Sequence, residues 1–72
     1  MKIVKVTWDD ALAVASWTKC DEDMEPQICI TIGFLVSENE RHVRIAATVS
    51  DDEFIAGMQI PRKMILSIDE IV

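Results

Sequence analysis

Apolar and polar positions alternate along most of this chain. In "KIVKVTW", residues 2–8, Val4, Val6 and Trp8 fall on one side and Lys5 and Thr7 on the other. That two-residue period predicts a half-buried strand. Residues 28–36, "ICITIGFLV", are apolar on both sides and rich in β-branched side chains. They read as a strand covered on both faces, by the curl of its own sheet or by a neighbouring subunit. "SENER" is a polar turn. The next run, residues 42–49, places Val43, Ile45, Ala47 and Val49 inward and His42, Arg44 and Thr48 outward. Two strands around one short turn predict a hairpin. "SDDE" is a second turn, and residues 54–60 alternate through Phe54, Ala56, Met58 and Ile60. Pro61 lacks a ladder donor and ends that strand. "PRKM" then makes a short corner before a last strand, residues 65–72.

The connection from residue 9 to 27 breaks the alternation. Its first half predicts a short helix. Thr7 and Asp10 form a pair like a capping box. Asp9 and Asp10 suit a helix start and Lys19 its end. Trp8, Leu12 and Ala15 share one helical face, with Ala11 beside them. The second half, "CDEDMEPQ", is polar and reads as a loop. A helix of about ten residues is marginal alone, so Trp8 and Trp17 are its expected anchors. The expected fold is mainly β: a small five-stranded bent sheet or barrel with one short helix between strands 1 and 2. It forms a single domain over residues 1–72.

Size changes this picture, because 72 residues bury little surface and usually need a staple. One cysteine pair, Cys20 and Cys29, is a weak disulfide signal. Both thiols are expected to be reduced and buried. A single histidine and two cysteines nine apart give no metal-ligand spacing. A second subunit is the remaining staple. Half of the residues are hydrophobic, more than a small monomer hides, so a homo-oligomer is expected. The longest apolar run has nine residues, against roughly 18 for a membrane span. With no export signal read at the start, the expectation is a cytoplasmic protein without membrane contact.

Thirteen acids against seven bases give a net charge of −6. The acids sit at turns and segment ends, as a solvated rim does. A general DNA binder is excluded on electrostatic grounds. An acidic mimic of nucleic acid is a minor alternative, since mimics line their acids along one face.

Two stretches resemble known proteins. "GFLVSENERHVRIAA", residues 33–47, looks like the first signature of Sm-like proteins: a glycine-containing bent strand, a polar turn and a second strand. "AGMQIPRKMILSIDEI", residues 56–71, resembles the second signature: a strand, a one-turn corner and a closing strand. Small SH3-like barrels share much of this. Nearly the whole chain also resembles short proteins of tailed bacteriophages. Val6, Trp8, Asp10, Ala11, Trp17, Gly33, Leu35, Ile60, Pro61, Ile65 and Ile68 carry that likeness. The resemblances imply a small β-barrel, a phage origin, an infected bacterial cytoplasm and, for Sm-like rings, RNA or nucleotide pockets between subunits. Here the turn after Leu35 sets Asn39 among glutamates, which turns the reading away from RNA.

No enzyme is expected: a second histidine, a glycine-rich phosphate cradle and a zinc-helix motif are all missing from the sequence. Ser16, Ser37, Ser50 and Ser67 lack a nucleophile context. His42 reads as an exposed strand residue. Asp9 and Asp10 are explained by capping rather than acid–base chemistry. Trp8 and Trp17, with Asp10 between them, are candidates for partner recognition, because tryptophan anchors interfaces and stacks on bases. Trp8 is expected to pack in the barrel end and Trp17 to lie at its edge, within reach of a neighbour or ligand. Arg62 and Lys63, joined by Arg41 and Arg44, form a possible positive pocket for a phosphate. The expected function is a non-enzymatic, oligomeric phage accessory module that binds a host protein and takes no cofactor. The alternative is a small-nucleotide or RNA-binding ring that sequesters a defence signal.

Overall fold

The computed structural model describes residues 1–10, 17–21 and 27–71. Five strands appear: β1 (Ile3–Asp10), β2 (Gln27–Glu38), β3 (His42–Val49), β4 (Phe54–Pro61) and β5 (Ile65–Glu70). A single 3-10 turn, Arg62–Met64, stands between β4 and β5. It is the one-turn corner that "PRKM" predicts.

All strands pair antiparallel in one sheet, in the order β4-β3-β2-β1-β5. The sheet is open. Its outer strands, β4 and β5, do not pair with each other, so the closed-barrel alternative is corrected to an open sheet. The expected helix is also corrected at its start. Thr7, Trp8, Asp9 and Asp10 are strand residues, paired with Ile30, Cys29, Ile28 and Gln27. The cross-strand ladder on β2 satisfies backbone groups that the capping argument assigned to a helix. Residues 17–19 are not helical. The remainder of that expected helix, residues 11–16, lies outside the described residues.

β2 is the organising strand. Over Gln27–Phe34 it pairs with β1, and from Phe34 to Glu38 it pairs with β3. The change of partner falls at Gly33. A Cβ there would meet Ile45 Cγ2 at 2.6 Å and the Ala46 carbonyl oxygen at 2.7 Å. Only a residue without a side chain admits that approach. A register shift between Leu35 and Ser37 adds a bulge just beyond it, a device that bends a strand.

The core lies on one face of the bend. Val4 and Val6 from β1, Val43 and Ile45 from β3 and Ile60 from β4 are buried together. Trp8, Leu35, Ile65 and Ile68 pack against them. The alternation in β1 and the first half of β3 is therefore as the sequence predicts. Further along β3 it fails: Ala46 is buried, Ala47 exposed and Val49 half-buried. The β3–β4 hairpin extends past its pairing with β2 there, and among the described residues no element covers its far end. For the same reason Phe54, Ala56 and Met58 are exposed and only Ile60 of β4 is buried. Ala56 has φ 58°, in the left-handed region, and the β3–β4 ladder misses the pair it would make with Ala47. Cys20 is exposed and Cys29 half-buried, so the expected burial of both thiols is corrected too.

Two outcomes follow. Ile45→Ala removes a fully buried side chain and is expected to cost about 2–4 kcal/mol in chemical denaturation, whereas Leu66→Ala, on an exposed strand position, stays within about 0.5 kcal/mol. Gly33→Ala is expected to lower the melting temperature more than Gly57→Ala. The neighbour at Gly33 includes fixed backbone, whereas at Gly57 it is the exposed ring of Phe54, which has room to turn.

Candidate functional site

The candidate residues fall into three places rather than one. Trp8 lies inside the fold. It is half-buried against the core, and its indole N–H donates to Thr31 Oγ1 at 3.0 Å. A buried indole with a satisfied donor is a packed anchor. Asp10 is exposed at the end of β1, paired with Gln27. Trp17 is fully exposed and offers its whole ring to solvent. The two tryptophans thus separate in role: one holds the core and one faces outward.

The basic residues gather around the β2–β3 turn and the 3-10 corner. Asn39 builds the turn. Its Oδ1 accepts hydrogen bonds from the backbone N–H groups of Arg41, at 2.8 Å, and His42, at 3.0 Å. This is how an asparagine substitutes a side-chain carbonyl for a backbone one in a turn. Asn39 Nδ2 also lies 3.2 Å from His42 Nε2. Arg62 ties the corner onto this turn. Its backbone N–H donates to the Arg41 carbonyl at 2.8 Å, and its Nε donates to the Asn39 carbonyl at 3.0 Å. Its Nη2 approaches Glu38 at 3.6 Å. Both side chains of that ion pair are substantially exposed, so the pair itself adds little. The hydrogen bonds to backbone carbonyls carry the junction.

Arg44 is engaged elsewhere. Its Nη2 donates to Gln59 Oε1 at 3.1 Å, and its guanidinium stands 5.9 Å from the centre of the Phe54 ring. The structure therefore brings Arg41 and Arg62 together, leaves Lys63 exposed on the corner, and directs Arg44 toward β4. Arg62 commits its Nε and Nη2 to the fold. Glu38 stands inside the same group, so its charge is partly offset. Among the described residues no cluster of His, Cys, Asp or Glu is arranged to hold a metal ion.

What the sequence reading did not locate is the exposed apolar surface. Ile28, Ile30 and Ile32 are 55, 63 and 60% exposed, although the run that holds them is expected to be covered on both faces. Their side chains lie opposite the core, because their neighbours Cys29, Thr31 and Gly33 pair with Trp8, Val6 and Val4. Ile55, Met58 and Leu66 are exposed on the two outer strands. The only signal in the sequence is the surplus of apolar residues. Two shallow depressions near the β3–β4 turn are lined by Ser50, Glu53 and Phe54, with Asp51 and Asp52 in the larger. They are small and acidic, unsuited to a phosphate.

The Asn39 junction yields a direct test. Asn39→Ala removes two acceptor contacts to backbone N–H groups and is expected to destabilise the chain by about 1 kcal/mol, read by urea denaturation. Lys63→Ala, which leaves that network intact, is expected to change stability by less than about 0.5 kcal/mol.

Comparison with protein-family models, with curated proteins and with solved structures returns no match to this chain.

Proposed function

We propose that this chain is a non-enzymatic accessory protein of a tailed phage, acting in the infected bacterial cytoplasm. In this reading it is a self-associating binding module directed at a host protein. The observation that carries it is the exposed apolar surface: a fully solvent-facing Trp17, and a strand β4 whose apolar residues are exposed except Ile60. Large apolar side chains left exposed in this number on a small domain mark candidate interaction sites. Tryptophan is the side chain most often found at the energetic centre of such sites. The surrounding acids keep like molecules apart until a complementary surface meets them. The phage origin rests on the sequence resemblance alone.

A nucleotide-binding alternative gains no support from the basic corner. Arg62 is held by the Asn39 carbonyl and Glu38, and Arg44 by Gln59 and Phe54. A phosphate would have to displace these contacts.

The test starts from affinity capture on the immobilised chain in bacterial lysate, followed by titration of the purified captured protein. Trp17→Ala is expected to weaken the measured Kd by at least roughly 30-fold, the effect of losing a hot-spot tryptophan of about 2 kcal/mol. Equal binding by the Trp17→Ala variant, or capture of nothing, overturns the host-protein reading. A melting shift on adding nucleotides, lost in Arg62→Ala, would establish the alternative instead.

A further inference from the structure

Besides the outer edges of β4 and β5, the sheet has a third open edge, inside the fold. β2 pairs with β3 only from Phe34 onward. Its first half, Gln27 to Gly33, has β1 on one side and, among the described residues, no strand on the other. The hydrogen-bond pattern shows which groups face that side. Leu35 donates to the Lys2 carbonyl at 2.8 Å, so the odd-numbered residues of β2 exchange bonds with β1. In an antiparallel ladder the alternate residues then point their N–H and C=O groups the other way. Phe34 uses that direction to pair with Ala46. Ile28, Ile30 and Ile32 point theirs into the open edge. The three residues whose backbone groups meet no further strand among the described residues are the same three whose side chains are exposed.

We propose that this edge is where two copies of the chain meet, β2 against β2, antiparallel about a two-fold axis through Ile30. The proposal deepens the self-association put forward above and rests on it. Strand order across the joint becomes β5-β1-β2-β2-β1-β5, with Ile30 opposite Ile30 and Ile28 opposite Ile32. A symmetric dimer demands such a self-complementary patch. On the exposed face each row reads correctly: Thr7–Ile30 meets Ile30–Thr7, and Asp9–Ile28 meets Ile32–Lys5. No row sets like charges together.

Charge and edge protection select a second copy and select this edge. The chain carries −6, so net repulsion opposes association of two copies and is weakest where acids are absent. Residues 27–36 hold no charged side chain. The outer edges carry the devices that keep sheets from pairing. β5 is six residues long and ends in Asp69 and Glu70. β4 is interrupted where Ala56 adopts φ 58°, and it ends in Pro61, which has no N–H. β2 has neither over Gln27–Gly33. A joint this short is smaller than a standard interface of about 800 Å² per partner, so association in the micromolar range is expected.

Two measurements test it. In native mass spectrometry and sedimentation at tens of micromolar, the wild-type chain is expected at twice 8.1 kDa. Ile30→Lys, which places a cation against its own copy on the axis, is expected to return it to monomer with an unchanged far-ultraviolet spectrum. Separately, in a Cys20→Ser, Cys29→Ser background, Ile30→Cys is expected to form an intermolecular disulfide on mild oxidation. Directly opposed hydrogen-bonded residues sit about 5.5 Å apart at Cα, within disulfide reach. Ile55→Cys and Leu66→Cys, on β4 and β5, are expected not to cross-link. An oligomer that survives Ile30→Lys, or cross-links through Ile55→Cys or Leu66→Cys and not Ile30→Cys, overturns this interface and leaves self-association standing. A wild-type monomer at these concentrations overturns both.

Discussion

At Gly33 the backbone of β3 comes so close to β2 that one added carbon would collide with the Ala46 carbonyl and the Ile45 side chain. That contact lets one strand serve two pairings. Before it, β2 belongs with β1 and β5; after it, with β3 and β4. The core forms where the two groups fold toward each other, with Val4 and Val6 from the first and Val43, Ile45 and Ile60 from the second. The Asn39–Arg62 junction closes the same bend from outside. It joins the β2–β3 turn to the corner between β4 and β5.

The arrangement also explains why so much apolar surface remains outside. A bend in a sheet buries only the concave side near the bend. Both hairpin ends extend beyond it, over a molecule 50 Å long and about 20 Å across. Isoleucines and methionines on those extensions are exposed, with no second layer over them among the described residues. In a chain of this size the core cannot be enlarged by folding alone. The apolar surplus is therefore the feature on which the proposed self-association rests.

Strand existence was legible in the sequence because period-two alternation and turn residues agreed: β3 appears over the expected residues, and "PRKM" makes the expected corner. The helix start was misread because Asp9 and Asp10 suit a helix N-terminus locally, while the decisive influence was non-local pairing with Ile28 and Gln27. Tertiary context overrides such propensity. The burial of β4 was misread for a related reason: alternation records which residues share a face, and says nothing about whether that face is covered. At the candidate site, the sequence reading sets Trp8 packed and Trp17 at the edge. The structure packs Trp8 against the core and exposes Trp17, but Trp8's polar partner was not legible. Two tryptophans nine residues apart carry no mark of which one finds Thr31.

The basic residues show how structure changes a functional argument even when it leaves sequence positions unchanged. Read as letters, Arg41, Arg44, Arg62 and Lys63 are four cations in an acidic chain, and a phosphate pocket is a natural inference. Read as donors, two of them already have acceptors in the fold. A guanidinium bonded to a backbone carbonyl has fewer donors left for a ligand, and displacing it loosens the turn it braces. In the proposed reading, recognition falls to groups that the fold leaves unused. These are the ring of Trp17 and the uncharged edge of β2 over Gln27–Gly33, which meets no further strand among the described residues. Neither carries a charge, which suits a protein surface better than a charged small molecule. In the proposed dimer, the net charge of −6 opposes contact elsewhere and favours the uncharged strand.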